Sequence, residues 1–212
     1  LNLKTQAVNI VYITLIVYTV SVMFLSDHDI KTAVREGSIT IHDFDPKRLQ
    51  PVSYDILLGN RFIMTESQST PFIDPVKKIF PVTREIIIKD GESFVLHPGV
   101  SILGTSFDYF GSNEYLIQLS GKSSLARIGL IVHNTAGVIN PGHFLNITLE
   151  LCNLNIVPIV LRPKMPIAQL LFSRISNPVT RDYSQTGRYF EKNWQGIVPE
   201  PKAGKKKLKT KN

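Results

Sequence analysis

Apolar and polar positions change rhythm twice along this chain. From Ala7 to Leu25 the run AVNIVYITLIVYTVSVMFL carries no charge, and it is long enough for a bilayer-spanning helix of about 20 residues. The next segment has helical spacing. Ser26 is a good N-cap with Asp29 three residues on, Ile30, Ala33 and Val34 form an apolar stripe, and Gly37 supplies the stop. Beyond Gly37 the pattern becomes short β-rich runs broken by Pro, Gly, Asn and Asp, the signature of a sandwich or barrel rather than of alternating βαβ units. The predicted strands are Ser53–Leu58, Arg61–Met64, Glu85–Ile88, Phe94–Leu96, Ser101–Ser106, Tyr115–Leu119, Gly129–Val132, Asn146–Leu151, Ile156–Leu161 and Ile167–Arg174. Pro71–Pro81 and Asn177–Pro201 read as loop or arm. Within Asn146–Leu151 the alternation places Ile147, Leu149 and Leu151 on one face and Asn146, Thr148 and Glu150 on the other, so a rigid strand holds the Glu150 carboxylate away from an apolar layer.

Met23 opens a segment with the character of a protein start, and no small-x-small cleavage site follows the apolar run. Residues 1–22 are therefore expected to be an apolar extension that is not part of the mature protein, with a membrane anchor as the alternative. The 212 residues suit one domain with tails. A hydrophobic share of 43% is ample for a core, and a single cysteine, Cys152, excludes an internal disulfide and every multi-cysteine zinc site. The net charge of +7 suggests nucleic acid until its distribution is examined. Six lysines fall in residues 202–212 and Lys4 is the only charge in residues 1–22, which leaves residues 23–201 balanced. The basicity is a self-repelling tail, and no nucleic-acid partner is expected.

His28, His42, His97, His133 and His143 are scattered, and none is spaced for a metal. The H-x-E and P-C-x-x-C segments of zinc deaminases are absent, as are a P-loop, a dinucleotide-binding glycine pattern and a Gly-x-Ser-x-Gly elbow. Gly121-Lys122-Ser123-Ser124 stands out. It is a loop with a cation, two hydroxyls and free backbone N–H groups that can cradle phosphate oxygens, and Arg127 follows within one turn. A plain turn between strands is the competing reading.

Taken in order, MFLSDHDI at 23–30, LQPVSYDILLG at 49–59, FVLHPG at 94–99, GKSSLARIGL at 121–130, TAGVINPG at 135–142, ITLEL at 147–151 and IAQLLF at 167–172 closely resemble the dCTP deaminase branch of the dUTPase-like superfamily. That family begins at a point equivalent to Met23. The resemblance implies a mainly β, distorted sandwich of the jelly-roll, dUTPase-like type with a short N-terminal helix. It spans residues 23–176, with an arm at 177–201 that closes over the nucleotide and a Lys-rich tail at 202–212. It also implies a cytoplasmic homotrimer with active sites at subunit boundaries, Mg²⁺ carried on the nucleotide triphosphate, no zinc, and dCTP, dUTP and a feedback-inhibiting dTTP as ligands.

By the same resemblance Glu150 is the catalytic carboxylate, Ser123 and Arg127 hold the attacking water, and the Ala136 backbone meets that water and the base edge. Lys122, Ser123, Ser124, Arg127, Asn140 and Gln169 bind substrate, with Tyr183 and Arg188 of the arm closing over the phosphates. In metal-free deamination a carboxylate takes a proton from water as it attacks the amine-bearing carbon, then returns protons to the ring and the departing ammonia. The departures from the pattern are specific. Asn140 stands where most of the family has Asp, His143 replaces an aromatic, Leu145 replaces glycine, Lys122 replaces Arg and Arg188 replaces Lys. An amide hydrogen-bonds a sugar hydroxyl but is no base at neutral pH. The leading expectation is therefore a deaminase that releases dUTP and ammonia in pyrimidine deoxynucleotide biosynthesis. The alternatives are a bifunctional enzyme that continues to dUMP, favoured by Gly137 after Ala136, and a catalytically weak nucleotide-binding homologue.

Overall fold

The computed structural model describes residues 24–66 and 69–187; the apolar run up to Met23, Arg188, the rest of the arm and the lysine tail lie outside them. Helix α1 (Asp27–Glu36) forms where the capping signal stands. The Ser26 hydroxyl accepts from the Asp29 amide, the Asp29 carboxylate accepts from the Ser26 amide, and Gly37 closes the helix with φ 81°. Its hydrogen bonds with Ser26 hold the Asp29 carboxyl below its usual range. Ile30 and Ala33 face the core, and Leu25 enters it by donating to Phe172 O.

Twelve strands follow: β1 (Ile39–Ile41), β2 (Leu49–Gln50), β3 (Ser53–Thr65), β4 (Thr83–Ile87), β5 (Phe94–Leu96), β6 (Ser101–Ser112), β7 (Tyr115–Gly121), β8 (Leu130–Ile131), β9 (Val138–Ile139), β10 (Leu145–Asn153), β11 (Ile159–Leu161) and β12 (Pro166–Arg174). One-turn helices α2 (Ser123–Ala126) and α3 (Tyr183–Thr186) precede β8 and follow β12. The main sheet runs β8-β10-β6-β3-β12-β7-β9, with β1 on β6 and with β2 and β4 on β3; β5 and β11 pair separately, and these strands all pair antiparallel. The fold is the expected mainly β, curled sandwich. Its core holds Tyr54, Ile56, Leu58, Phe62, Phe110, Leu149, Leu151, Leu170 and Phe172, each fully buried. Among the described residues no helix is long and apolar enough to cross a membrane.

The structure corrects the expected strands at several points. Ser53–Leu58 and Arg61–Met64 are one strand, because Gly59 marks an irregularity and not a turn. The β3–β6 register shifts between Leu58 and Phe62, and a Cβ on Gly59 would lie 2.6 Å from Thr105 Oγ1, so β3 can pass this close only without a side chain. The first half of β3 pairs with β12 and the second with β4 and β6, so this strand joins the layers. Ser101–Ser106 extends to Ser112 for the same reason: β1, β3 and β10 all need its length for pairing. Ile156–Leu161 begins three residues late, since Asn153 and Asn155 side chains capture the amides of Asn155, Ile156 and Val157 into a turn. Strands β1, β2 and β9, of two or three residues each, lie outside the expected strands.

A buried ion pair anchors the segment ahead of β3. Arg48 Nη1 meets Asp108 Oδ1 at 2.7 Å, and Asp108 Oδ2 accepts from the Leu57 amide at 2.7 Å. The guanidinium lies over the Tyr54 ring at 4.7 Å, and the Tyr54 hydroxyl accepts from the Asp45 amide.

Candidate active site

Strand β7 ends at Gly121 and turns directly into α2, which sets Lys122, Ser123 and Ser124 on the rim of a cleft of about 410 Å³. Gln50, Pro51, Val52, Ser53 and Gln169 form the remaining walls. Both serines are exposed, and the first amides of a helix have no partner within it. Gln169 fixes the cradle: its Nε2 donates to Gly121 O at 3.1 Å while its Oε1 accepts from Ser53 Oγ at 2.9 Å. Both ends of this amide are engaged within the protein, which makes Gln169 a brace between β3, β12 and β7 as well as a wall of the cleft.

Lys122 pairs with Asp55, a residue the motif reading did not single out. The available signal was the spacing Ser53-x-Asp55 in a strand otherwise rich in buried apolar residues, where a charge requires a partner.

Glu150 sits between the fully buried Leu149 and Leu151 with its side chain on the opposite face, as the alternation predicts. Its Oε2 accepts from the Asn134 amide at 3.1 Å. The loop that follows carries Ala136, which is exposed, and Gly137 O accepts from Leu119 N at 2.7 Å, so the loop is pinned between β10 and β7. A Cβ on Gly137 would approach Leu119 O to 3.0 Å. Arg127 is exposed at the end of α2. Among the described residues no hydrogen bond or ion pair joins Glu150 to Ser123 or Arg127.

A third group lies elsewhere. Asn140 is exposed at a turn in which its carbonyl accepts from the His143 amide. Tyr183 docks on that turn through its amide to Pro141 O and through its ring on His143. Ile139 pairs with Ile117, so Gly121 and the cradle lie roughly 13 Å further along β7. Tyr183, expected over the phosphates, therefore rests away from the cradle of its own chain. Arg188 lies outside the described residues. Among the described residues no three His, Cys, Asp or Glu converge to hold a metal ion.

A family model described as dCTP deaminase-like matches residues 24–175. A protein of Clavibacter michiganensis subsp. michiganensis named dCTP deaminase, dUMP-forming, is 41% identical over 168 residues, covering 79% of this chain and 83% of its own. One of the same name from Dictyoglomus thermophilum is 42% identical over 165 residues, covering 76% and 85%. Among solved structures, the 2′-deoxycytidine 5′-triphosphate deaminase of Agrobacterium tumefaciens superposes with a TM-score of 0.55 at 18% identity over 72% of this chain. This chain spans 48% of that one, and the likeness is one of fold.

Proposed function

The chain belongs to the dCTP deaminase-like family, and from that premise we propose that it converts dCTP and two waters into dUMP, diphosphate and ammonia. The observation that carries this reading is the identity of about two residues in five, over three quarters of the chain, with proteins named dUMP-forming. It favours the dUMP-forming alternative over the dUTP-releasing enzyme that the sequence motifs put first.

In this reading Lys122, Ser123 and Ser124 receive the triphosphate, which brings Mg²⁺ as part of the substrate. Glu150, whose backbone is locked in β10 between two buried leucines, takes a proton from the water that attacks the amine-bearing carbon of cytosine. It returns protons to the ring nitrogen and the leaving ammonia. Ser123 and Arg127 orient that water, the Ala136 backbone meets the base edge, and Asn140 holds the sugar hydroxyl. The Asn140 turn lies roughly 13 Å along β7 from the cradle of its own chain, and that separation supports sites completed where neighbouring chains of a homotrimer meet.

A second reading, release of dUTP, is favoured by Asn140, which offers no carboxylate to ready a water for attack on the triphosphate. Resolving the products of purified protein incubated with Mg²⁺ and dCTP separates the two. Accumulation of dUMP with diphosphate is expected; dUTP as the end product supports the second reading, and intact dCTP overturns both.

A further inference from the structure

Asp55 lies near the start of β3 between the fully buried Tyr54 and Ile56, and it is only 8% exposed. A carboxylate at that depth needs a counter-charge, and Lys122 supplies it, with Nζ 2.5 Å from Oδ2. Gln50 Nε2 donates to the same oxygen at 3.3 Å, while Oδ1 is buried and has no hydrogen-bond partner among the described residues. The frame around the pair is rigid. Asp55 is opposite Gln169 in the β3–β12 register, Ala168 is opposite Gly121 in the β12–β7 register, and Gln169 ties Gly121 to Ser53. Lys122 therefore reaches from the loop to a fixed anion, and it lines the cleft together with Ser123 and Ser124. An ammonium has three donors. The ion pair with Asp55 engages one side of the ammonium and leaves donor capacity for an incoming anion.

We propose that Asp55 is a positioning residue for polyphosphate binding: its buried carboxylate holds the Lys122 ammonium in the cleft, ordered before the nucleotide arrives. This rests on the proposed function, which makes the cleft the triphosphate site, and it adds a residue to which no role in that site has been given. A lysine stem is rich in rotamers, and binding that must order it loses affinity. With Asp55 in place the ordering is complete beforehand. The role acts through Lys122 alone, so its signature is binding that depends on both residues together.

The test uses Asp55→Asn and Asp55→Glu, each alone and combined with Lys122→Met. The readouts are the Kd for inorganic tripolyphosphate by calorimetry, KM and kcat for dCTP, and Tm. Asp55→Asn is expected to raise the tripolyphosphate Kd and the dCTP KM about tenfold, the scale of one charge-assisted contact, with kcat changed less than twofold. Asp55→Glu is expected to recover part of the loss, and in the Lys122→Met background Asp55→Asn adds no further weakening. A Kd for Asp55→Asn that is unchanged or tighter overturns the proposal, as does equal weakening with and without Lys122, or a fall in Tm with Kd intact. Tripolyphosphate binding needs no turnover. Protein that binds it with the expected Asp55 dependence but leaves dCTP intact refutes the proposed reaction and keeps the positioning role. Protein that turns over dCTP without binding tripolyphosphate overturns the positioning role and keeps the reaction.

Discussion

The ring of Tyr183 stacks on the ring of His143, centroids 3.9 Å apart and planes 17° from parallel. Around this contact the first residues of the arm close tightly. A Cβ on Gly142 would lie 2.8 Å from Asp182 Cβ, and one on Gly187 would strike the Tyr183 ring. His143 is 7% exposed, and its Nε2 is buried with no hydrogen-bond partner among the described residues. Burial pushes its pKa down from 6.5 to about 4, so the ring is neutral at pH 7 and offers Tyr183 an uncharged face.

That depressed pKa gives a pH dependence of definite sign. Between pH 6.5 and about 4 the unfolded chain binds a proton that the folded chain refuses, so the contribution is full above 6.5 and is lost as pH falls through this window. A displacement of this size corresponds to a loss on the order of 3 kcal/mol. His143→Phe keeps an aromatic under Tyr183 and removes the proton. Melting temperatures at pH 7, 5.5 and 4.5 are expected to fall less steeply for His143→Phe than for the parent; parallel profiles would sink the assignment.

Asp108 carries the buried end of the Arg48 pair at 1% side-chain exposure and also holds the Leu57 amide. Asp108→Ala strands a guanidinium that is 14% exposed and a backbone donor together. A loss of about 3–5 kcal/mol is expected in urea unfolding, because breaking one side of a buried pair leaves a charge uncompensated. A loss under about 1 kcal/mol would show that water replaces the carboxylate freely.

Glu150→Gln preserves the shape of a side chain whose visible bond is to the Asn134 amide. Deamination is expected to fall at least about a hundredfold, the scale of a general acid and base, while Tm and nucleotide affinity stay close to the parent. Near-normal turnover removes Glu150 from the chemistry.

Asn140 is exposed on its turn, so a carboxylate there meets no steric barrier. If the position readies water for attack on the triphosphate, Asn140→Asp raises dUMP formation from dUTP and changes deamination much less. If it only anchors the sugar hydroxyl, the substitution shifts affinity by about 1 kcal/mol. Equal dUMP formation from dUTP by both proteins excludes the residue as the switch between products.

The features legible in the sequence are those that neighbouring residues decide among themselves. The Ser26–Asp29 cap spans one helical turn, the alternation around Glu150 follows from the two-residue period of a strand, and the Gly121–Ser124 loop carries its hydroxyls and cation in adjacent positions. The family motifs are runs of the same kind, and they carried the fold class as well. Tertiary structure decided what meets what. Asp55 and Lys122 come together only because β3, β12 and β7 lie side by side in one register, Arg48 reaches Asp108 across 60 residues of chain, and His143 meets Tyr183 only where the arm turns back after β12. Gly59 reads locally as a break, yet the closeness of Thr105 makes it the point where β3 passes from one layer to the next. Periodicity tells which face of an element is buried; which element covers that face depends on strand order and register, set by packing across the whole domain.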